Sequence, residues 1–291
     1  NDGGSWVSFI IPTGTSITGT NENAVTFNNG SFTVDNDGTI SATGAANISG
    51  ISASGANATI TEITNSENIT STTTGNFGLG VTIDNGATLG TLTNTGTITG
   101  TSGDDSGYGV FLSNGSTATA IINSGTISGV TTGDDFAHGI FVDNNSILTT
   151  LTNTGIISST AADSSSSAVL VSDTSTITTL TNDGTISGTA TNSSARGIAL
   201  SGSEITTLTN NDTISGEAGV DNGRGIRLTN STITTLINDG TISGTAGVDF
   251  GRGIRLQTNS TIGTLTNNDT ISGSAVNDTG EGILLFTSTI T

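Results

Sequence analysis

An isoleucine recurs along this chain at nearly constant spacing, and this period limits the possible folds more than any other feature. It lies in the phrase GTISG and its variants and returns every 28 to 30 residues. Its positions are Ile40, Ile69, Ile98, Ile127, Ile157, Ile186, Ile214, Ile242 and Ile271. A disordered polar linker has no reason to place isoleucine so regularly. The chain is therefore predicted to be a repeat protein whose units stack on one another.

Two further apolar series keep step with the isoleucine. An aliphatic residue precedes it by six positions in every repeat, as Leu180 precedes Ile186. About twelve positions after it comes a pair of apolar residues two positions apart, as Ile226 and Leu228 in RGIRL. Spacing by two is strand alternation, which places both side chains on one face. Each repeat is thus predicted to hold three short strands separated by turns.

The predicted fold is all-β: a right-handed parallel β-helix, or β-solenoid, of about ten coils of about 29 residues with three short strands per coil. Thr, Ser, Gly and Asn dominate the chain and are poor helix formers. A β-propeller would need about 40 residues per blade, and left-handed solenoids use shorter hexapeptide repeats. Residues 1–30 are predicted to form an N-terminal first coil or cap, and 31–291 a single continuous solenoid. The chain ends within a repeat at Thr291, so a fragment or a subunit of something larger is expected.

An asparagine stands four residues before the recurrent isoleucine in all nine repeats. Stacked coils would align these side chains in a ladder of amide hydrogen bonds, as in cross-β assemblies. The ladder residues are Asn36, Asn65, Asn94, Asn123, Asn153, Asn182, Asn210, Asn238 and Asn267. The glycine two residues after most of them is predicted to hold a left-handed backbone conformation, with Glu67, Asp212 and Asp269 replacing it in three repeats.

Composition excludes several classes of function. The chain has a net charge of −19, a pI near 4.1 and no lysine, which argues against binding nucleic acid or anionic membranes. No apolar run approaches the roughly 20 residues of a membrane span, so no membrane insertion by this segment is expected. Cysteine is absent, which removes disulfides and thiolate metal sites and fits an exported protein.

The phrases TLTNTGTITG, TLTNDGTISGTA and GRGIRL resemble the passenger domains of bacterial autotransporters and related β-helical surface adhesins. The resemblance covers nearly the whole chain. It implies a secreted protein of the Gram-negative cell surface, usually an adhesin. The C-terminal membrane barrel of that family is not part of this sequence.

An enzyme is not expected. Catalytic β-helices such as pectate lyases and glycosidases need clustered carboxylates, basic residues or aromatic sugar platforms on the outer wall. The chain has five arginines, one tryptophan and one histidine. His138, near Asp134 and Asp135, is predicted to be a surface histidine. A carbohydrate-active β-helix enzyme is the weakest of the alternatives.

Acidic residues recur in the segment after GTISG, where stacking would gather them in a column. They are Asp104, Asp105, Asp134, Asp135, Asp221, Asp249 and Asp278. Calcium, which takes oxygen ligands from such loops, is one interpretation. Solvated loops that keep the rod soluble are the other, because no known calcium-loop spacing is present. No other cofactor or metal is predicted.

A possible contact surface follows the third strand of each repeat, where one residue should point outward between the two apolar ones. It comprises Phe111, Phe141, Leu170, Arg227 and Arg255. The apolar members would form an exposed stripe. The arginines are expected to pair with Asp221, Asp249 or Glu217, and the alternative is a small patch for an anionic sugar.

Threonines flank the aliphatic residue of the first strand, as Thr179 and Thr181 flank Leu180. A flat Thr-x-Thr grid on a solenoid is typical of ice-binding proteins, although Glu62, Ala120 and Ile237 interrupt it here. Threonine is also simply a good residue for an exposed strand.

The chain is accordingly predicted to be a non-enzymatic, extracellular structural or adhesive rod at a bacterial cell surface. It would act as an adhesin passenger or as a self-stacking filament subunit. Its partners would be cell-surface or glycan ligands, or other copies joined end to end through open strand edges. The apolar segment from Trp6 to Pro12 is read as an ordinary first coil, a cap or a plug into a neighbour.

Overall fold

The computed structural model describes residues 7–291, and Trp6 of the apolar N-terminal segment lies outside this range. The regular elements from residue 7 onward are 31 β-strands in three sheets, called A, B and C. Successive strands enter A, B and C in turn, so one coil contributes one strand to each sheet. The predicted all-β solenoid of about ten coils with three strands per coil is confirmed. No helix long and apolar enough to cross a membrane occurs in residues 7–291.

The strands occupy equivalent places in each coil. Sheet A contains β1 (Val7–Ile11), β4 (Gly30–Asn36), β7 (Ala58–Asn65), β10 (Thr88–Asn94), β13 (Thr117–Asn123), β16 (Ile147–Asn153), β19 (Thr176–Asn182), β22 (Glu204–Asn210), β25 (Thr232–Asn238), β28 (Thr261–Asn267) and β31 (Thr289–Ile290). Sheet B contains β2 (Ser16–Thr20), β5 (Thr39–Gly44), β8 (Asn68–Thr73), β11 (Thr97–Ser102), β14 (Thr126–Thr131), β17 (Ile156–Ala161), β20 (Thr185–Ala190), β23 (Thr213–Ala218), β26 (Thr241–Ala246) and β29 (Thr270–Ala275). Sheet C contains β3 (Val25–Phe27), β6 (Ile48–Ser54), β9 (Gly78–Asp84), β12 (Gly107–Leu112), β15 (Ala137–Val142), β18 (Ser166–Ser172), β21 (Ala195–Ser201), β24 (Gly223–Thr229), β27 (Gly251–Gln257) and β30 (Gly280–Phe286).

The core is a bundle of aliphatic columns, because equivalent residues of successive coils lie opposite one another. Ile98 pairs with Ile127, and Ile127 pairs with Ile157. All three side chains are fully buried. Each buried isoleucine contributes about 1.5–3 kcal/mol through removal of its apolar surface from water. Because side chains alternate along a strand, a slip of one residue would turn a whole column outward.

The asparagines at the ends of the sheet A strands form a continuous ladder of buried amides. The Nδ2 atom of Asn94 donates to Oδ1 of Asn123 at 2.7 Å. The same nitrogen lies 3.1 Å from the carbonyl oxygen of Gly96 in its own coil and 3.1 Å from that of Thr126 in the next. Along the ladder the Nδ2–Oδ1 distances are 2.6 to 2.8 Å. Each amide therefore closes the corner of its own coil and ties it to the next one.

The first coil is continuous with the rest of the solenoid but does not extend this ladder. Strands β1, β2 and β3 pair in parallel with β4, β5 and β6. Ile11 occupies the position equivalent to Asn36 and is buried. Because isoleucine offers no donor, the buried Oδ1 of Asn36 has no hydrogen-bond partner. In the same segment Val7 and Ile10 are exposed.

The left-handed conformation predicted for the Asn-x-Gly corner is wrong, and it occurs at a different corner. Positive φ values cluster between sheets C and A, as at Asn114 (φ 54°) and Gly115 (φ 73°). Glycine is favoured at the asparagine corner for another reason: a Cβ on Gly96 would overlap the carbonyl oxygen of Glu67 in the preceding coil. The corner is therefore limited by the close approach of coils rather than by backbone handedness.

A second polar ladder, which the sequence did not predict, follows the corner between sheets C and A. The backbone N–H of Ser116 donates to Oγ of Ser146 at 3.2 Å, and that of Ser146 donates to Oγ of Ser175 at 3.1 Å. The same bond links Ser203 to Ser231 at 3.2 Å. All these serines are buried. The ladder supplies acceptors to these buried backbone N–H groups. Without an acceptor, each buried N–H group would destabilise the fold by about 1–3 kcal/mol.

Two adjacent isoleucines test how much the aliphatic columns contribute. Ile157→Ala should lower the free energy of unfolding by about 2–5 kcal/mol, because it leaves a cavity in a fully buried column. Its neighbour Ile156 is 45% exposed, so Ile156→Ala should change stability by no more than about 0.5 kcal/mol. Urea unfolding followed by circular dichroism measures both. Equal losses in the two variants would contradict the inward assignment of Ile157.

The amide ladder makes a separate prediction. Asn182→Ala removes the acceptor of Asn153 and the donor to Asn210, both at 2.8 Å. Leaving buried polar groups unpaired should cost about 2–4 kcal/mol. The control is Asn211→Ala, which removes an exposed hydrogen bond to Asp183, the residue that follows Asn182 in the chain. If the two variants unfold at the same urea concentration, the ladder does not carry the stability attributed to it.

Candidate binding groove

A narrow arm projects from the solenoid where the chain leaves sheet B and enters sheet C. The end of a sheet B strand and the start of the following sheet C strand, such as β11 and β12, run close together there. A Cβ on Gly100 of β11 would overlap the carbonyl oxygen of Tyr108 of β12. Small buried residues fill the arm, among them Ala190, Ala195 and Ala218. The arm tips are the loops that hold the acidic residues. The arm therefore rises beside the outer face of sheet C and forms one wall of a groove.

A bend in the sheet C strands gives the groove floor two columns of side chains instead of one. Gly225 faces the core, where a Cβ would lie 2.6 Å from Cγ2 of Ile242. Gly225 and the buried Ile226 therefore form an inward-facing pair. The residues on either side of this pair, Arg224 and Arg227, both face the groove. The column beside the arm consists of Leu79, Tyr108, His138, Ser167, Arg196, Arg224, Arg252 and Glu281. The open column consists of Thr82, Phe111, Phe141, Leu170, Ala199, Arg227, Arg255 and Leu284.

The predicted contact residues all fall in the open column. Phe111 pairs with Phe141, and Phe141 pairs with Leu170. Arg227 lies two coils after Leu170 and pairs with Arg255 of the next coil. All five side chains are partly buried rather than fully exposed, because the column beside the arm packs against them.

One end of the groove is aromatic. The rings of Phe111 and Phe141 are stacked with centroids 5.2 Å apart, and those of Tyr108 and His138 are stacked at 5.2 Å. The ring of Tyr108 also lies 5.3 Å from that of Phe111. Phe136, which is 47% exposed, stacks on His138 from the arm at 6.2 Å. These contacts hold a rigid set of ring faces and edges at the surface.

His138 is not the surface histidine that the sequence predicted. It is 4% exposed, and its Nδ1 lies 3.2 Å from the carbonyl oxygen of Ser167. Burial, assisted by the nearby Arg196, lowers its pKa to about 3. The ring is therefore neutral at physiological pH and acts as part of the aromatic stack. Burial likewise raises the pKa of the Tyr108 hydroxyl to about 12.

The other end of the groove holds all five arginines of the chain. Their expected pairing with Asp221, Asp249 or Glu217 is wrong. In residues 7–291 the single ion pair joins Nε of Arg252 to Oε2 of Glu281 at 2.6 Å. Arg252 reaches the acidic loops, where it contacts Asn222 and Phe250, but it forms no ion pair with Asp221 or Asp249.

The four arginines other than Arg252 are poorly compensated. The Nε atoms of Arg196, Arg224, Arg227 and Arg255 are buried without a hydrogen-bond partner. Burial and neighbouring guanidinium groups lower the pKa of Arg196 to about 9 and that of Arg224 to about 8. Both groups stay charged at neutral pH. Their environment therefore disfavours the charged form and would be improved by an incoming anion.

Between the two ends lies a cavity of about 300 Å³. Its lining joins Tyr108, His138 and Phe141 on one side to Arg196 and Arg227 on the other. Aromatic faces and guanidinium groups are thus accessible from one continuous space. Chemically, this arrangement can hold a ligand with both an apolar face and negative charge.

The column beside the arm was missed by sequence reasoning. Tyr108 and Val110 are two residues apart, so strict alternation would place both inside. The bend at Gly109, whose Cβ would lie 2.7 Å from Cγ2 of Ile127, breaks that alternation. The sequence does contain a pattern that indicates this column. In phrases such as RGIR and HGIF, two groove residues lie three positions apart and enclose a glycine and an aliphatic residue that face inward.

The acidic residues considered for calcium lie in the loops at the arm tips, exposed or partly exposed. Asp105 and Asp135 of neighbouring coils approach each other, and a hydrogen bond between them raises the pKa of Asp135. Within residues 7–291 no three acidic or histidine side chains form a group that could hold a metal ion. Two carboxylates fall short of the six to eight oxygens that calcium takes.

Comparison of the chain with protein-family models, curated proteins and solved structures yields no match.

The raised pKa of Asp135 has a consequence for stability. A carboxyl whose pKa is raised by folding stabilises the folded state while protonated, and that contribution is lost as pH rises through the folded pKa. Burial raises the pKa of Asp143 in the same direction. The contribution of these two carboxyls to the melting temperature should therefore increase as pH is lowered from 7 toward their ordinary pKa of 3.8.

The variant Asp135→Asn should raise the melting temperature at pH 7 and flatten this dependence, because it removes the repulsion with Asp105. Glu217→Gln, in an exposed part of sheet B, removes the same charge without that contact. Differential scanning fluorimetry across the pH range compares the two. Identical pH profiles for both variants and the native chain would show that the Asp105–Asp135 contact is not formed.

Proposed function

We propose that this chain is a non-enzymatic extracellular rod that binds surfaces through its outer side chains. The observation that carries the proposal is the contrast between inside and outside. The aliphatic and amide columns repeat from coil to coil, whereas the outward residues of sheet C change from aromatic to arginine. A constant interior that supports a varied surface favours a scaffold for recognition.

The cellular setting proposed is the surface of a bacterium. The β-solenoid architecture is compatible with the adhesin passengers that the repeat phrases resemble. The absence of cysteine and the net charge of −19 fit an exported and soluble rod. Ten coils at about 4.8 Å each would give the rod a length of roughly 48 Å.

A self-stacking filament subunit is the second version of this proposal. Each sheet is an open stack of parallel strands, and copies would join by extending the strand order of all three sheets together.

Ice binding through sheet A has weaker support. Thr150, Thr179 and Thr207 are in register, as are their companions two residues on. The grid is uninterrupted over these three coils only, because Ala120 precedes it and Ile237 follows it. A thermal-hysteresis measurement on the purified chain is the direct test, and absence of ice reshaping would exclude this role.

The proposal predicts adhesion without turnover. Beads coated with the folded chain should be retained on glycan-bearing epithelial cells more strongly than beads coated with the heat-unfolded chain. Incubation with soluble polysaccharides should release no new reducing ends. Retention equal to that of the unfolded control would overturn the adhesive role, and release of reducing ends would overturn the non-enzymatic one.

Negative-stain electron microscopy of the same preparation distinguishes the two versions. Isolated rods of about 50 Å are expected for an adhesive segment. Long unbranched fibres would instead identify a filament subunit.

A further inference from the structure

The arginines of the groove are an anomaly in so acidic a chain. With 24 acidic residues available against five arginines, pairing each guanidinium with a carboxylate would be simple. Instead four of the five have a buried, unpartnered Nε. Burying a donor atom of a charged group without a partner is costly, and buried charged groups are usually paired. The missing counter-charge is therefore expected to come from outside the chain.

The ion pair between Arg252 and Glu281 shows how an arginine of this column binds a carboxylate. Arg252 donates from Nε to Glu281 at 2.6 Å and from Nη1 to Asn222 at 3.0 Å, and it stacks over Phe250 at 4.2 Å. Arg224 and Arg196 occupy the same column one and two coils away, with no acidic partner. A carboxylate or sulfate oxygen supplied by a ligand would repeat there the contact that Glu281 makes with Arg252.

The aromatic end adds a second requirement. The rings of Tyr108, Phe136 and Phe141 line the same cavity, and Phe136 is 47% exposed. Leu170 and Ala199 continue an apolar floor toward Arg227. A ligand that fills the groove must therefore offer apolar faces as well as charge. Pyranose rings have such faces and stack on aromatic side chains.

The length of the groove indicates several ligand units. Phe141 and Arg227 are separated by three coil steps, through Leu170 and Ala199. At about 4.8 Å per step, the two ends lie roughly 14 Å apart. A single small anion would reach the arginines and leave the aromatic end empty, so an extended ligand fits the groove better.

Other acidic polymers fit less well. The groove floor is the face of a sheet whose backbone groups pair with neighbouring strands, so an extended peptide would find no strand edge to join. Nucleic acid carries a dense charge along its whole length and would meet the acidic arm tips. A glycan with spaced charges needs only side-chain donors and ring faces.

We propose that the groove between the arm and sheet C, from Tyr108 to Arg255, binds a linear glycan bearing carboxylate or sulfate groups. Its sugar rings pack on the aromatic end, and its acidic groups bind the arginines. This inference rests on the proposed surface-binding function and supplies its ligand class.

The test is isothermal titration calorimetry of the folded chain with defined oligosaccharides. The probes are a sulfated heparin hexasaccharide, a carboxylated oligogalacturonate hexamer and neutral cellohexaose. The test variant is Arg227→Gln with Arg255→Gln, two partly buried residues of the open column. The control variant is Thr207→Gln with Thr235→Gln, which changes the outer face of sheet A in the same coils. Circular dichroism melts verify that both variants are folded.

At least one acidic hexamer should bind, with affinity that falls as salt is added, and cellohexaose should bind at least tenfold more weakly. The arginine variant should lose about tenfold or more in affinity, while the threonine variant binds as the native chain does. The stronger acidic probe identifies sulfate or carboxylate as the preferred group.

Three results would overturn the inference: no binding of either acidic hexamer, equal binding of cellohexaose, or unchanged affinity in the arginine variant. Tighter binding of a single-stranded 12-nucleotide DNA with the same arginine dependence would also overturn it. The bead assay separates this failure from that of the proposed function. If beads carrying the arginine variant are retained like native beads, adhesion stands and the groove is not its site.

Discussion

From the second coil onward, this solenoid depends on the amide hydrogen bond that joins the asparagine of one coil to the asparagine of the next. The bond fixes where the sheet A strand ends and the sheet B strand begins. The constant spacing between the asparagine and the recurrent isoleucine reflects this constraint. From Asn36 onward the asparagine and the recurrent isoleucine are four residues apart in every repeat, although the spacing between successive isoleucines varies from 28 to 30 residues. The extra or missing residues fall in the arm and in the corner between sheets C and A, away from the ladder. Variation in coil length is therefore confined to segments that the amide ladder does not contact, and the groove lies beside one of them, the arm.

The fold could be predicted from the sequence because its two strongest signals are periodic. Alternation within a strand identifies the inward residues, and the recurrence near 29 residues shows that the units stack. Ile157 and Asn182 could be placed in this way. The serine ladder from Ser116 onward was missed because serine is abundant along the whole chain, so its buried members do not stand out. The left-handed corner was misplaced because the asparagine corner contains glycine for a different reason, the close approach of neighbouring coils.

The groove could be predicted only in part. Phe111 and Arg227 follow from alternation, since each lies between two inward residues. Tyr108 and Arg224 do not, because an inward glycine bends the strand just after them and reverses the alternation. The arginine partners could not be predicted, because Asp221 and Asp249 are near the arginines in sequence but form no ion pair with them, whereas Glu281 of the adjacent coil pairs with Arg252. Which side chains share a surface depends on the path of the arm, and a repeat pattern does not encode that path.

The amide column also has a direction. Every Nδ2 points toward the following coil and every Oδ1 toward the preceding one, so the column behaves as a vector along the rod axis. An encounter between two ends at Asn267 would bring amide nitrogens face to face, whereas the opposite end of the column is covered by Ile11. A two-fold symmetric end contact is therefore disfavoured, since its hydrogen-bonding groups would not be complementary. Rods that joined by continuing their parallel strand order would all be oriented the same way along the fibre.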